Sequence, residues 1–288
     1  MSLLDFFTDH TFRTTLIGAV LVGLVAGALG TFVYLRRQSM ISDVISHSAL
    51  PGALTAFLIL TGLSLNGRNM LVLMVGAVVT GTLAVFLTQW VPRISVVDAS
   101  TAMAVVLSMF FGIGMLLMQY ISRNPIPNKG GVGDYLFGNA ATLTRADVRS
   151  AAIIGVISVL IIVLFFKVLT LQTFDHEQAR IQGFNSAAID GLFFATVAIA
   201  TVIGVKSVGL VLMVAFVITP PAIARQWTRS VGSMVVISAL VGATGSAIGT
   251  YLSITHGPLP TGPVIVLVLF AMLALTLAFS PRARKVAA

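Results

Sequence analysis

The sequence contains no cysteine among its 288 residues, and only 9% of them are charged. The first absence excludes disulfides, thiolate zinc centres and iron–sulfur clusters. The second excludes an ordinary soluble domain, in which about a quarter of the residues carry charge. With 57% hydrophobic residues and a mean hydropathy of +1.03, the composition is that of an all-α, polytopic membrane protein. Acidic residues are scarce, nine against 17 Lys and Arg, which leaves a net charge of +8. In a membrane chain that excess marks cytoplasmic loops rather than contact with nucleic acid. A phosphate-binding loop is also missing, because Val205 precedes Lys206-Ser207 where that motif requires glycine. The chain therefore reads as unable to hydrolyse nucleotide, so any ATP-driven role calls for a separate ATPase. Met1–Asp5 offers neither a basic leader nor a small-residue cleavage site, and no signal peptide is expected.

What is present is a succession of apolar runs. A span needs about 20 mostly apolar residues. Nine windows qualify: Thr14–Leu35, Ile41–Leu63, Asn69–Trp90, Thr101–Ile121, Arg149–Lys167, Ala187–Val205, Ser207–Ala224, Val231–Thr255 and Pro263–Phe279. The expectation is eight or nine transmembrane helices. The sixth and seventh windows are separated by Lys206 alone and read either as two helices or as broken, re-entrant pieces. An N-terminus outside and a C-terminus inside places ten basic residues in the cytoplasm, among them Arg36, Arg37, Arg93, Arg180, Arg225 and Arg229. Gly23-x-x-x-Gly27 and Gly245-x-x-x-Gly249 allow close helix packing, within the chain or between chains.

Of the nine acidic residues, Asp43 is read as the one well inside an apolar run, while Asp98, Asp175, Glu177 and Asp190 flank spans. Asp43 and His47 are four residues apart, on one face of a helix. A central Asp costs roughly 2.5–3.5 kcal/mol on insertion scales unless it is paired, hydrated or bound. A divalent metal satisfies both side chains, and a carboxylate with an imidazole suits Mn(II), Zn(II) or Fe(II). The plainer alternatives are a self-satisfying Asp–His hydrogen bond or a proton relay. One pair supplies only two ligands, so a metal site calls for two such chains on a two-fold axis. Ser46 and Ser48 can hydrogen-bond to the ligands.

Between two spans lies Phe174-Asp175-His176-Glu177-Gln178-Ala179-Arg180-Ile181-Gln182-Gly183. Asp175 can cap a short helix running through Gln182, and Gly183 can end it. Asp175, Glu177 and Arg180 give it a charged surface, with Phe174, Ala179 and Ile181 to anchor it. It is either an ordinary loop helix or a lever that docks into a cytoplasmic motor. Pro220-Pro221 kink or end the seventh span. His10, His176 and His256 read as polar loop residues. The aromatic residues of Asp134-Tyr135-Leu136-Phe137-Gly138-Asn139 suit a headgroup region or an external partner.

Taken in order, Leu35-Arg36-Arg37-Gln38-Ser39, Asp43-x-x-x-His47-x-x-x-Pro51-Gly52, Tyr135–Asn139, Phe174-Asp175 with Ala179 and Gly183, Val208–Ala222 and Pro260–Leu267 make the chain resemble the permease subunits of metal-ion ABC importers. The resemblance covers about Thr14 to Arg282. It implies a single permease domain over residues 1–288, placed in the bacterial cell (inner) membrane. It implies partners: a second permease chain, two cytoplasmic ATP-binding subunits and an external metal-binding protein. Asp43 and His47 would line the metal path near the extracellular gate. Asp175, Glu177, Ala179, Arg180 and Gly183 would belong to the ATPase-coupling helix, 174–183. Ser42 stands where many members carry Gly before the Asp. No bound cofactor is expected; the transported ion is Mn(II), then Zn(II) or Fe(II) in order of preference. The competing reading is a proton-coupled secondary transporter with no ATPase. A membrane enzyme has little support, because no nucleophile accompanies the one cluster.

Overall fold

The computed structural model describes residues 10–63, 65, 69–127, 145–255 and 259–280. Within them the chain forms ten helices and no strand: α1 His10–Leu35, α2 Ile41–Gly62, α3 Met70–Ile94, α4 Ala99–Arg123, α5 Arg145–Phe174, α6 His176–Ile181, α7 Ser186–Val208, α8 Leu210–Trp227, α9 Val231–Thr255 and α10 Thr261–Phe279. Among the described residues, eight of the helices (all but α6 and α8) are long and apolar enough to cross a membrane. The Tyr135–Asn139 motif, His256 and the basic residues beyond Pro281 lie outside the described residues.

Helix ends follow from local chemistry. Asp98 caps α4, its carboxylate accepting from the amides of Ser100 (3.0 Å) and Thr101 (3.4 Å) and from the Thr101 hydroxyl. That hydroxyl first, then the two amides, holds the Asp98 carboxyl below its ordinary pKa. Asn69 and Asn185 cap α3 and α7 in the same manner. The sixth and seventh windows form two helices, α7 and α8. They meet at Gly209, whose φ of 91° and ψ of 164° belong to a region open only to glycine. Pro220 and Pro221 lie inside α8, which continues to Trp227 without ending at either. Pro221 has no N–H for the Val217 carbonyl, and that oxygen instead abuts Gly30 of α1, which has no Cβ to obstruct it.

Both glycine motifs pack within the chain. Gly23 and Gly27 bring α1 against the backbone of Gly242 and Ser238 on α9, and Gly245 and Gly249 seat Leu269 and Ile265 of α10. Fully buried Phe32, Phe193 and Phe216 fill the centre; Phe32 meets Phe166 and Phe193 edge-on at 6.2 and 6.0 Å.

The turn from α1 to α2 positions the site. The amide of Arg37 bonds to the Tyr34 carbonyl and that of Gln38 to the Val33 carbonyl, a Schellman closure. Its left-handed position is held by Arg37 (φ 57°), not by glycine. A left-handed conformation costs an L-residue with a Cβ roughly 1–2 kcal/mol. Arg37→Gly should therefore raise thermal stability by about 1 kcal/mol, and β-branched Arg37→Val should lower it. Melting of the two purified variants checks this; a destabilised glycine variant would contradict the strain.

Candidate metal path

α2 is enclosed by its own chain on all sides but one. From Ile41 to Leu60 the positions not buried are Asp43, His47, Thr55, Leu58 and Ile59. Asp43 and His47 open this stripe. Asp43 sits in the first turn, where the partial positive charge of the helix N-terminus favours a carboxylate. The His47 ring packs edge-on against Phe111, centroids 5.1 Å apart at 82°. Phe111 is the middle residue of α4, and Ile45 packs on Gly81, one residue from the middle of α3. The pair thus lies near half-depth in the bundle, although it belongs to the first two turns of its helix. The α1–α2 turn leaves Arg37 and Met40 exposed, with the Arg36 side chain turned inward.

Pro51, four residues after His47, has no amide hydrogen and leaves the His47 carbonyl without its intrahelical partner. Above it the Thr80 hydroxyl of α3 donates to the Ser48 carbonyl at 2.7 Å. Ser46 and Ser48, read as able to hydrogen-bond to Asp43 and His47, make no such bond. They are 2% and 0% exposed, off the open stripe, and their hydroxyls have no hydrogen-bond partner. Ser42, in the place of the expected Gly, is fully buried. Among the described residues no group of three or more His, Cys, Asp and Glu could hold a metal. One chain offers a carboxylate and an imidazole only.

The Asp175–Gly183 segment folds as α6. The Asp175 carboxylate accepts from the Gln178 amide at 2.8 Å, and Gly183 closes the helix at φ 82°, its amide on the Arg180 carbonyl. The expected anchoring is corrected. Ala179 alone is buried, whereas Ile181 is 78% exposed and Phe174 and Phe184 are also exposed. These apolar side chains stand outward beside exposed Glu177 and Arg180.

A second polar cluster escaped the sequence reading. Asp190 does not merely flank a span: it is 7% exposed, more buried than Asp43, and Arg36 Nη1 lies 2.6 Å from its Oδ1. The Arg36 Nε donates to the Thr173 hydroxyl at 3.3 Å, and the guanidinium lies over Phe193 and Phe194 at 4.9 and 5.6 Å. His176 is no simple loop residue either. Its Nε2 is 3.5 Å from Asp190 Oδ2, and its Nδ1 is 2.9 Å from the Gln172 carbonyl oxygen. Asp190 also borders a cleft of about 190 Å³ between α3 and α7, with Gln89 and Arg93 on the opposite wall. The signal available in the sequence was a carboxylate one turn into an apolar run.

The helices, eight of them long and apolar enough to cross a membrane among the described residues, define a polytopic membrane protein. A family model, the ABC 3 transport family, matches residues 8–280, and the chain belongs to that family. It is 34% identical over 281 residues to the zinc transport system membrane protein TroC of Treponema pallidum, covering 98% of this chain and 93% of that protein. It is 39% identical over 252 residues to the manganese transport system membrane protein MntC of Bacillus subtilis, covering 88% of this chain but only 57% of that protein's length. Among solved structures, PsaBC from Streptococcus pneumoniae in complex with Fab superposes with a TM-score of 0.83 at 29% identity, over 98% of both chains.

Removing one member of a buried ion pair typically costs 3–5 kcal/mol because the other charge is stranded. Asp190→Ala should therefore destabilise the permease by about 3 kcal/mol, read as a lower unfolding midpoint in detergent. A midpoint unchanged from wild type would mean that Arg36 is satisfied without Asp190.

Proposed function

We propose that this chain, as one transmembrane domain, is the permease subunit of an ATP-driven importer for a divalent transition metal. The observation that carries this reading is the open stripe of α2, with a carboxylate and an imidazole at half-depth in an otherwise enclosed helix. Ionisable groups at that depth serve a path or a ligand, because hydrocarbon gives them no other solvation. Oxygen and nitrogen donors without sulfur suit Mn(II) first, with Zn(II) and Fe(II) behind. Relatives named for manganese and for zinc agree with that set.

Two donors do not complete a metal's coordination. The open stripe is the surface on which a second permease chain, a copy or a homologue, brings another Asp43–His47 pair. ATP hydrolysis falls to separate cytoplasmic subunits, which receive α6 through exposed Phe174, Ile181 and Phe184. Glu177 and Arg180 set its register, and exposed pairs of that kind contribute only about 0–1 kcal/mol each. Ala179 and Gly183 hold its base, and Asp175 its cap. An external metal-binding protein delivers the ion. The bacterial cell membrane, with the N-terminus outside and the C-terminus inside, fits the distribution of basic residues. Membership of an ABC family favours this reading over the proton-coupled secondary transporter.

Asp43→Ala and His47→Ala should each reduce uptake of radioactive manganese or zinc by more than the ten- to hundredfold (~10–100) typical of losing an outer-sphere partner, while membrane insertion persists. Uptake near the wild-type rate in both variants would remove the pair from the path.

Because Ser46 and Ser48 are buried, cysteines there cannot report the contact between chains. Phe111, 40% exposed beside His47, can. In the naturally cysteine-free chain, Phe111→Cys should form a cross-linked permease dimer under mild oxidation, whereas a cysteine at outward-facing Val156 on α5 should not. Equal cross-linking at both positions would place the second chain elsewhere.

A further inference from the structure

We propose that Arg36, Asp190 and His176 form the link through which movement of α6 reaches the metal-facing stripe of α2. This deepens the importer reading and rests on it.

The cluster joins the elements that have to communicate. Thr173 ends α5, His176 begins α6, Asp190 lies in the first turns of α7, and Arg36 immediately follows α1. Arg36 contacts Thr173 and Asp190 directly and reaches His176 through the second carboxylate oxygen. Seven residues beyond Arg36 stands Asp43. The chain between them is a closed turn, pinned by amides bonded back to Phe32, Tyr34 and Val33, with the Ile41 amide on the Gln38 carbonyl. A displacement of Arg36 thus moves the start of α2 as a body instead of being lost in slack.

Three further observations fit an element with two arrangements better than a static rivet. Arg37, at the centre of the turn, holds a left-handed conformation that its side chain disfavours. Arg36 Nη2 is buried without an acceptor, so the observed arrangement leaves one donor unsatisfied. Asp190 faces an open cleft whose other wall carries Arg93. If His176 departs with α6, the carboxylate has both space and an alternative cation. A buried ion pair is weak evidence for stability and is better attested as a register or switch device. Arg36, Asp190 and His176 are positioning residues, which act on Asp43 and His47 through the turn.

The test uses the whole transporter, permease with its ATPase subunits and metal-binding protein, reconstituted in liposomes with Mn(II) as the probe. The quantity measured is ions moved per ATP hydrolysed. Arg36→Met with Asp190→Leu removes both charges together, so no orphaned charge forces unfolding. The expected result is intact assembly, continued ATP hydrolysis and about a tenfold fall in ions per ATP. A merely structural pair would leave that ratio unchanged, and an unchanged ratio overturns the proposal. Should the double variant fail to fold, His176→Phe decides, since it leaves the Arg36–Asp190 pair in place. A severalfold fall in its ratio supports the link, and a wild-type ratio overturns it. If the wild-type assembly itself shows no ATP-dependent Mn(II) or Zn(II) uptake, the importer reading fails instead, and the two failures are distinct.

Discussion

The single stripe that α2 leaves open, on a helix otherwise enclosed by its own chain, is the constraint from which the other features follow. Asp43 and His47 stand in the first two turns of that helix, and the His47 ring packs against Phe111 at the middle of α4. The turn before α2 closes on itself through the amides of residues 36 to 38, with the Arg36 side chain turned inward onto Asp190 and Phe193. Gly81 and Thr80 of α3 meet the backbone of α2, and Gly114 of α4 meets the side chains of Leu50 and Pro51. The remaining stripe is left for something other than this chain.

The same turn connects the two ends of the proposed mechanism. On one side is α6, a short helix with a buried alanine, an aspartate cap and outward apolar side chains. On the other are Asp43 and His47, the proposed metal donors. Between them stand an arginine bound on three sides and a turn that holds an arginine in a conformation better suited to glycine. Rigid helices with a strained, closed connection convert a small shift at one end into a displacement of donors at the other. Loose loops could not do so.

Much of this was legible in the sequence. All nine apolar windows became helices, because length and hydropathy in a bilayer admit few alternatives. The α6 cap and stop were legible because Asp and Gly act locally. Spacing alone put Asp43 and His47 on one face of a helix, and both stand on the open stripe of α2. Their surroundings were not legible: that Phe111 packs on His47 and Gly81 on Ile45 depends on how α2 meets α4 and α3, which is a matter of packing. Asp190 was missed because one turn into an apolar run looks like a boundary until Arg36, distant in sequence, is placed beside it. Phe174 and Ile181 were misassigned as anchors because hydrophobicity signals burial, and here they face outward. Ser46 and Ser48 flank His47 in sequence but sit on other faces of the helix.

The central claim is that one metal is held by two Asp43–His47 pairs from two chains. Pulsed electron paramagnetic resonance of Mn(II) bound to the purified transporter tests it directly, because hyperfine coupling counts the coordinating imidazole nitrogens. The account predicts coupling to two equivalent imidazoles, abolished by His47→Ala, at one Mn(II) per two permease chains. Coupling to a single imidazole, or a signal unaltered in the His47 variant, would contradict it.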